Sequence, residues 1–158
     1  VCSSGSPFTL ITDRSLKTTV NTRRMLKRHK KHLNAALGED ALRSASNTLR
    51  WLNYILNQVA LPTKVSGIEE FSWEEPYLMG GWDQKEYEEL KKNNPSYSDM
   101  YDLVGISLPE NGDTLMAEIV RISDQTTFHM RLCLLEGCSG DKDTDSIIET
   151  YVYWHYNY

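Results

Sequence analysis

Between residues 42 and 59, the apolar residues Leu42, Ala45, Leu49, Leu52, Leu56 and Val59 recur at steps of three and four. That spacing lies on one face of an α-helix and predicts an amphipathic helix that buries this stripe. A second helix is predicted over 14–37, with Asp13 as N-cap, Leu16, Val20, Met25, Leu26, Leu33 and Leu37 as a partial apolar face, and Gly38 as terminator. The short connection between them implies an antiparallel helical hairpin. Residues 1–12 lack sustained periodicity and read as a loose arm.

From Pro62 onward the pattern changes. Residues 60–68 read as a strand and turn, with Pro62 confined to an edge or a strand start. Residues 69–83 mix acids, aromatics and the Gly80-Gly81 pair, as an irregular binding segment does. A short charged helix over 84–93 ends at Asn93-Asn94-Pro95. Residues 101–108, 113–123 and 126–135 alternate or run apolar between turn residues, which predicts a three-stranded antiparallel meander. Residues 139–145 form a polar loop. The run 151–158 has strand composition, while Ile147, Ile148, Tyr151, Val152 and His155 fit helical spacing with Asp145 as N-cap; the helix is the preferred reading. The fold class expected is therefore α+β, a helical hairpin packed on a twisted antiparallel sheet with a C-terminal helix. Residues 13–158 form one domain in this reading, divided into a hairpin (13–59) and a sheet subdomain (60–158).

Composition agrees with a globular chain: 158 residues, 40% hydrophobic and 25% charged, with no apolar run long enough to span a bilayer. Its net charge of −5 conceals a segregation. Residues 1–64 carry 11 Lys+Arg and 3 Asp+Glu, whereas residues 65–158 carry 6 and 19. The halves are thus +8 and −13. Either they dock on one another, or each half has its own charged partner. Cys2, Cys133 and Cys138 are too few for a disulfide framework, so reduced thiols in a cytoplasmic protein are expected.

The most specific constellation is Asp141, Asp143, Asp145 and Glu149, at positions 1, 3, 5 and 9 of the acidic run. Carboxylates so spaced in a loop converge oxygens on a hard cation such as Ca²⁺. Ser146 and Val152 replace the glycine and bidentate glutamate of an EF-hand at positions 6 and 12. The competing reading is a solubilising loop whose Asp145 caps the last helix. Glu74, Glu75 and Asp102 are further candidate calcium ligands. Trp73, Tyr77 and Trp82, set among acids, offer a surface for a basic protein partner, as an immunity-type accessory module would. Arg23, Arg24, Lys27, Arg28, Lys30 and Lys31 invite a nucleic-acid reading, but they wrap around the helix without any recognised nucleic-acid motif, so contact with the acidic half is preferred. His29 and His32 with Cys133 and Cys138 form a weaker zinc combination. No phosphate-binding loop, nucleophile elbow or zinc-protease motif occurs, so a non-enzymatic protein is expected.

Several segments resemble a bacterial family of small proteins akin to the calcium-binding protein of heterocyst-forming cyanobacteria. They are Trp51-Leu52-Asn53-Tyr54-Ile55-Leu56 followed by Leu61-Pro62, and Ile119-Val120-Arg121-Ile122-Ser123-Asp124 paired with the run from Phe128 to Glu136. Two more are Glu86-Tyr87-Glu88-Glu89-Leu90-Lys91-Lys92 leading to Pro95-Ser96-Tyr97, and the ending Ile147-Ile148-Glu149-Thr150-Tyr151-Val152-Tyr153-Trp154. The resemblance covers about residues 47–158. It implies a twisted antiparallel sheet on helices and acidic loops that bind calcium, as a buffer or a sensor.

Overall fold

The computed structural model describes residues 16–81, 83–110 and 112–158, with side chains in the first helix described from Lys27 onward. The arm at 1–12 and the Asp13 cap lie outside the described residues.

Helix α1 (Leu16–Leu37) ends where Gly38 takes a positive φ of 67° and returns its N–H to the Asn34 carbonyl. Glycine enters that region without steric cost. Helix α2 (Ala45–Gln58) starts at Ser44, whose side chain accepts the Asn47 N–H. Contacts between Arg50 and the Leu37 carbonyl and between His32 and Tyr54 run in opposite directions along the two helices, so the expected antiparallel hairpin forms.

Strands β1 (Thr63–Gly67), β2 (Met100–Ser107), β3 (Met116–Arg121), β4 (Thr127–Arg131) and β5 (Leu135–Gly137) build one antiparallel sheet in the order β4-β3-β2-β1-β5. The expected meander is β2-β3-β4. The chain then turns through a 3₁₀ segment, Leu132–Leu134, and returns as β5 on the far side of β1. Consequently β1 is an interior strand, and Pro62 stands just before its start. The connection from β1 to β2 carries two short helices, α3 (Glu75–Met79) and α4 (Gln84–Leu90). Helix α5 (Lys142–Asn157) closes the chain as a helix.

Helix α2 does not bury the leucine stripe that the spacing suggested. Asn47, Thr48, Trp51 and Ile55 are its buried residues, whereas Leu49 and Leu56 are each 47% exposed and Leu42 is 70% exposed. The helix is turned by roughly 100°, about one residue's worth of rotation. Trp51 decides this. Its ring meets Tyr151 at 5.9 Å and Trp154 at 6.1 Å, both from α5, and an indole offers more area to bury than a leucine. The polar residues on the buried face are satisfied locally: Asn47 donates to the Asp40 and Leu42 carbonyls, and Thr48 to that of Ser44.

The long β1–β2 connection is tied to the sheet by Arg121. This buried guanidinium donates to the carbonyls of Lys91, Lys92 and Asn94, to Asp99, and to both oxygens of Asp124, while it lies 5.1 Å from the Phe128 ring centre. Its carboxylate partners hold it above the ordinary arginine range, and it in turn holds Asp124 far below the usual carboxylate range.

Cys133 is a buried free thiol, as expected for a small core residue. Cys138 is disulfide-bonded, which corrects the expectation of a reduced thiol at that position. No described helix is long and apolar enough to cross a membrane.

Two stability series test these assignments. Ile55→Ala is expected to cost about 2–5 kcal/mol in urea unfolding, whereas Leu49→Ser stays within roughly 0.5 kcal/mol. Equal losses would restore the leucine stripe as the buried face. Arg121→Met removes the partner of two carboxylates and three carbonyls and is expected to cost about 3–5 kcal/mol.

Candidate functional site

The acidic run at 141–149 is helical. Asp141 is the N-cap of α5, its carboxylate accepting the Asp143 N–H at 3.1 Å and the Thr144 hydroxyl at 2.9 Å. Asp143 and Asp145 sit in the first turn, where negative charge complements the helix dipole. The predicted polar loop over 139–145 is thus shortened, and the cap moves from Asp145 to Asp141. Two residues along a helix are about 200° of rotation, so Asp143 faces away from Asp141 and Asp145, unlike alternate ligands in a loop. Residues 141, 145 and 149 share a face at four-residue spacing.

Each of these acids has a local neighbour. Asp143 meets Lys31 at 3.4 Å and His32 at 3.5 Å, and Asp145 accepts the Ser139 N–H and hydroxyl at 3.0 and 2.7 Å. Glu149 lies 3.8 Å from His29. The His29 ring is buried, hydrogen-bonded to Thr150 at 3.0 Å and stacked on Tyr153 at 4.6 Å. Burial first, then the positive charge of Arg28, lowers its pKa to about 4. It is neutral at pH 7, so the contact with Glu149 is not an ion pair there.

Glu136 on β5 is the acid that spacing did not single out. It is half-buried, and among the described residues its carboxylate has no hydrogen-bond or ion-pair partner. Burial first and then the charge of Glu149 push its pKa up to about 7. Glu149 is itself raised by burial and by Asp145, against the opposing pull of Arg28. Glu136, Glu149 and Asp145 therefore form a chain of mutually repelling carboxylates between β5 and α5. The backbone return that makes β5 creates this proximity, and nothing local to Leu135-Glu136-Gly137 signals it.

The other candidates are dispersed. Glu74 is fully buried, and its two oxygens accept four hydrogen bonds, from the Phe71 and Tyr97 N–H groups and from the Tyr87 and Ser96 hydroxyls, at 2.6–3.1 Å. Its lone pairs are used in holding the β1–β2 connection together. Exposed Glu75 opens α3, and Asp102 pairs with Lys64 at 3.3 Å. Among the described residues, no three or more His, Cys, Asp or Glu side chains are grouped to hold a metal ion. The zinc combination is set aside as well: His29 and His32 bond to Thr150 and Tyr54, and Cys138 is in a disulfide.

Trp73 and Tyr77 pack on Tyr87, with ring centres 5.6 Å away in each case, and the Trp73 indole N–H donates to the Pro95 carbonyl. They form a small aromatic cluster of the connection, and Trp82 lies outside the described residues. In α1, Lys27, Arg28, Lys30 and Lys31 are exposed, and the side chains of Arg23 and Arg24 are not among those described.

No family model and no curated protein matches the chain. Among solved structures, it is similar to that of Anabaena CcbP, with 13% identity and a TM-score of 0.53 over 81% of this chain and 89% of that one. A calcium-binding protein in its calcium-binding form is also similar, with 14% identity and a TM-score of 0.49 over 84% and 89%. The CcbP likeness bears out the fold-level resemblance and the α+β architecture.

The raised pKa of Glu136 gives a pH signature. A carboxyl that binds its proton more tightly folded than unfolded contributes stability below about pH 4.5, and loses it as the pH rises through about 7. In EDTA, Glu136→Gln is expected to leave unfolding unchanged at pH 4.5 and to stabilise the protein at pH 8 by on the order of 1 kcal/mol. Equal effects at both pH values would contradict the shift.

Proposed function

We propose that the protein is a non-enzymatic calcium-binding protein, a buffer or a sensor, whose ion sits between β5 and α5. The carrying observation is the pair Glu136 and Glu149: two half-buried carboxylates whose ionisation burial makes costly, the charge of Glu149 adding to that cost at Glu136 and Arg28 only partly offsetting it at Glu149. A divalent cation removes that cost. Calcium suits such a place because it accepts oxygen ligands in flexible geometry at about 2.3–2.6 Å. Asp145 is the third ligand, once it exchanges its bonds to Ser139, and Asp141 lies one turn before it on the same face. Asp143, turned towards Lys31 and His32, adds negative charge nearby. Water completes the coordination. The likeness in fold to CcbP supports this reading.

A site that must be drawn together from separate acids binds weakly. Isothermal titration is expected to give a calcium dissociation constant on the order of 10⁻⁴ M, with magnesium weaker. The double variant Glu136→Gln, Glu149→Gln is expected to lose at least tenfold in affinity, while Glu74→Gln costs stability and spares calcium binding. Absence of heat, together with an unmoved thermal midpoint at millimolar calcium, would overturn the proposal.

A further inference from the structure

The +8 and −13 halves invite the expectation that they neutralise each other, and among the described residues they do so little. Helix α1 carries seven Lys and Arg and no Asp or Glu in its 22 residues. Among the described residues, its exposed basic side chains make one ion pair, between Lys31 and Asp143, with both groups more than half exposed. Such a pair contributes about 0–1 kcal/mol. Between the halves there is also Asp102 with Lys64 on the neighbouring strand, and within the acidic half Glu89 pairs with Lys92, and Asp99 and Asp124 with Arg121. The described basic side chains of α1, Lys27, Arg28, Lys30 and Lys31, are exposed to solvent, with Arg28 also acting at longer range on Glu149.

The helix also sorts its residues by side. His29, His32, Leu33 and Leu37 are buried, and Lys27, Arg28, Lys30, Lys31, Asn34 and Ala35 are exposed. Both inner histidines have lowered pKa values, through burial above all, so the inner face adds little charge at pH 7. Arg23 and Arg24 stand one turn before Lys27 and Arg28. Like charges four residues apart, as in Arg23/Lys27, Arg24/Arg28 and Lys27/Lys31, each destabilise a helix by roughly 0.2–0.5 kcal/mol. A merely solvated helix would relieve that repulsion with interspersed acids, and α1 has none.

We propose that the outer face of α1 binds the phosphate backbone of duplex DNA without sequence preference. From residue 23 to residue 31 the helix rises about 12 Å. Over that length duplex DNA carries roughly seven charges, against six basic side chains here. The B-form major groove, about 12 Å wide, admits an α-helix, whereas the deep, narrow major groove of A-form RNA does not. An anionic membrane is the poorer partner because interfacial helices insert an apolar flank, and Leu33 and Leu37 are committed to the core. The outer face consists chiefly of Lys and Arg, which favours backbone contact over base reading.

Fluorescence anisotropy with a labelled 20-base-pair DNA duplex in EDTA tests this, with an RNA duplex and phosphatidylserine vesicles as parallel arms. Expected is binding that weakens with salt at a slope of log K against log [salt] of about −3.6 for the four described side chains, reaching about −5.4 if Arg23 and Arg24 also engage. The Lys27→Ala, Lys30→Ala variant, its fold verified by circular dichroism, is expected to reduce the slope by about 1.8 and the affinity at 50 mM salt at least tenfold. Lys64→Ala, on β1, is expected to change neither. No binding at 50 mM salt, binding indifferent to the double substitution, or equal or tighter binding to the RNA duplex or the vesicles would each overturn the proposal.

Discussion

Burial of α5 on nearly all sides is the constraint around which the other elements arrange themselves. Eight of its residues are buried, and it packs against α1, α2, β5 and the 3₁₀ turn. Trp51, Tyr151 and Trp154 meet at 5.9–6.1 Å in its shadow. Each large aromatic ring removes about 150–250 Å² from water, roughly 4–6 kcal/mol as an upper bound, more than a leucine offers. Two of the three polar ends are satisfied at the same time: the Trp154 indole N–H donates to the Ala41 carbonyl and the Tyr151 hydroxyl accepts the Leu115 N–H, while the buried Trp51 indole N–H has no partner among the described residues. These bonds connect α5 to the link between the first two helices and to the entry of β3. The rotation of α2 follows, because a helix that must present Trp51 to α5 cannot also present Leu49 and Leu56.

The β1–β2 connection obeys a different rule. Besides its buried Phe71 and Tyr87, two buried groups hold it, Glu74 within it and Arg121 reaching in from β3. Glu74 gathers two backbone N–H groups and two hydroxyls, and Arg121 gathers three carbonyls and two carboxylates. A buried ion is tolerated when its hydrogen-bonding capacity is filled, and both are filled. This has a functional consequence. The segment richest in acids and aromatics, which composition marks as a binding loop, spends its central carboxylate and two of its aromatics on its own folding. The half-buried acids with raised pKa values, Glu136 and Glu149, lie elsewhere, on β5 and α5.

Charge in this protein is organised in the same economical way. Acids near basic residues of the sheet half pair with them, acids at the start of α5 complement its dipole, and Glu136 and Glu149 are the pair that repulsion and burial leave uncomfortable. The described part of the basic helix is sorted into a neutral inner face and a charged outer one, on which Lys31 with Asp143 is the one ion pair among the described residues.

Local pattern by itself determined the helical hairpin, the β2-β3-β4 meander, the Gly38 terminator and the α+β class, because amphipathic periodicity and turn residues act over a few positions and need no knowledge of distant partners. It left the last helix open to a strand reading, since Tyr, Val and Trp suit both, and burial against α1 and the sheet resolved it. Three matters belonged to tertiary structure. The face that α2 buries depends on the rings of α5, a hundred residues away. The acids from 141 to 145 read as a loop by spacing, yet the same Asp residues serve as cap and first turn once Ile147 and Ile148 are drawn into the core. Glu136 comes under the charge of Glu149 because the chain returns across the sheet as β5. In each case side chains far apart in sequence compete for the same buried space, and that competition has no local signature.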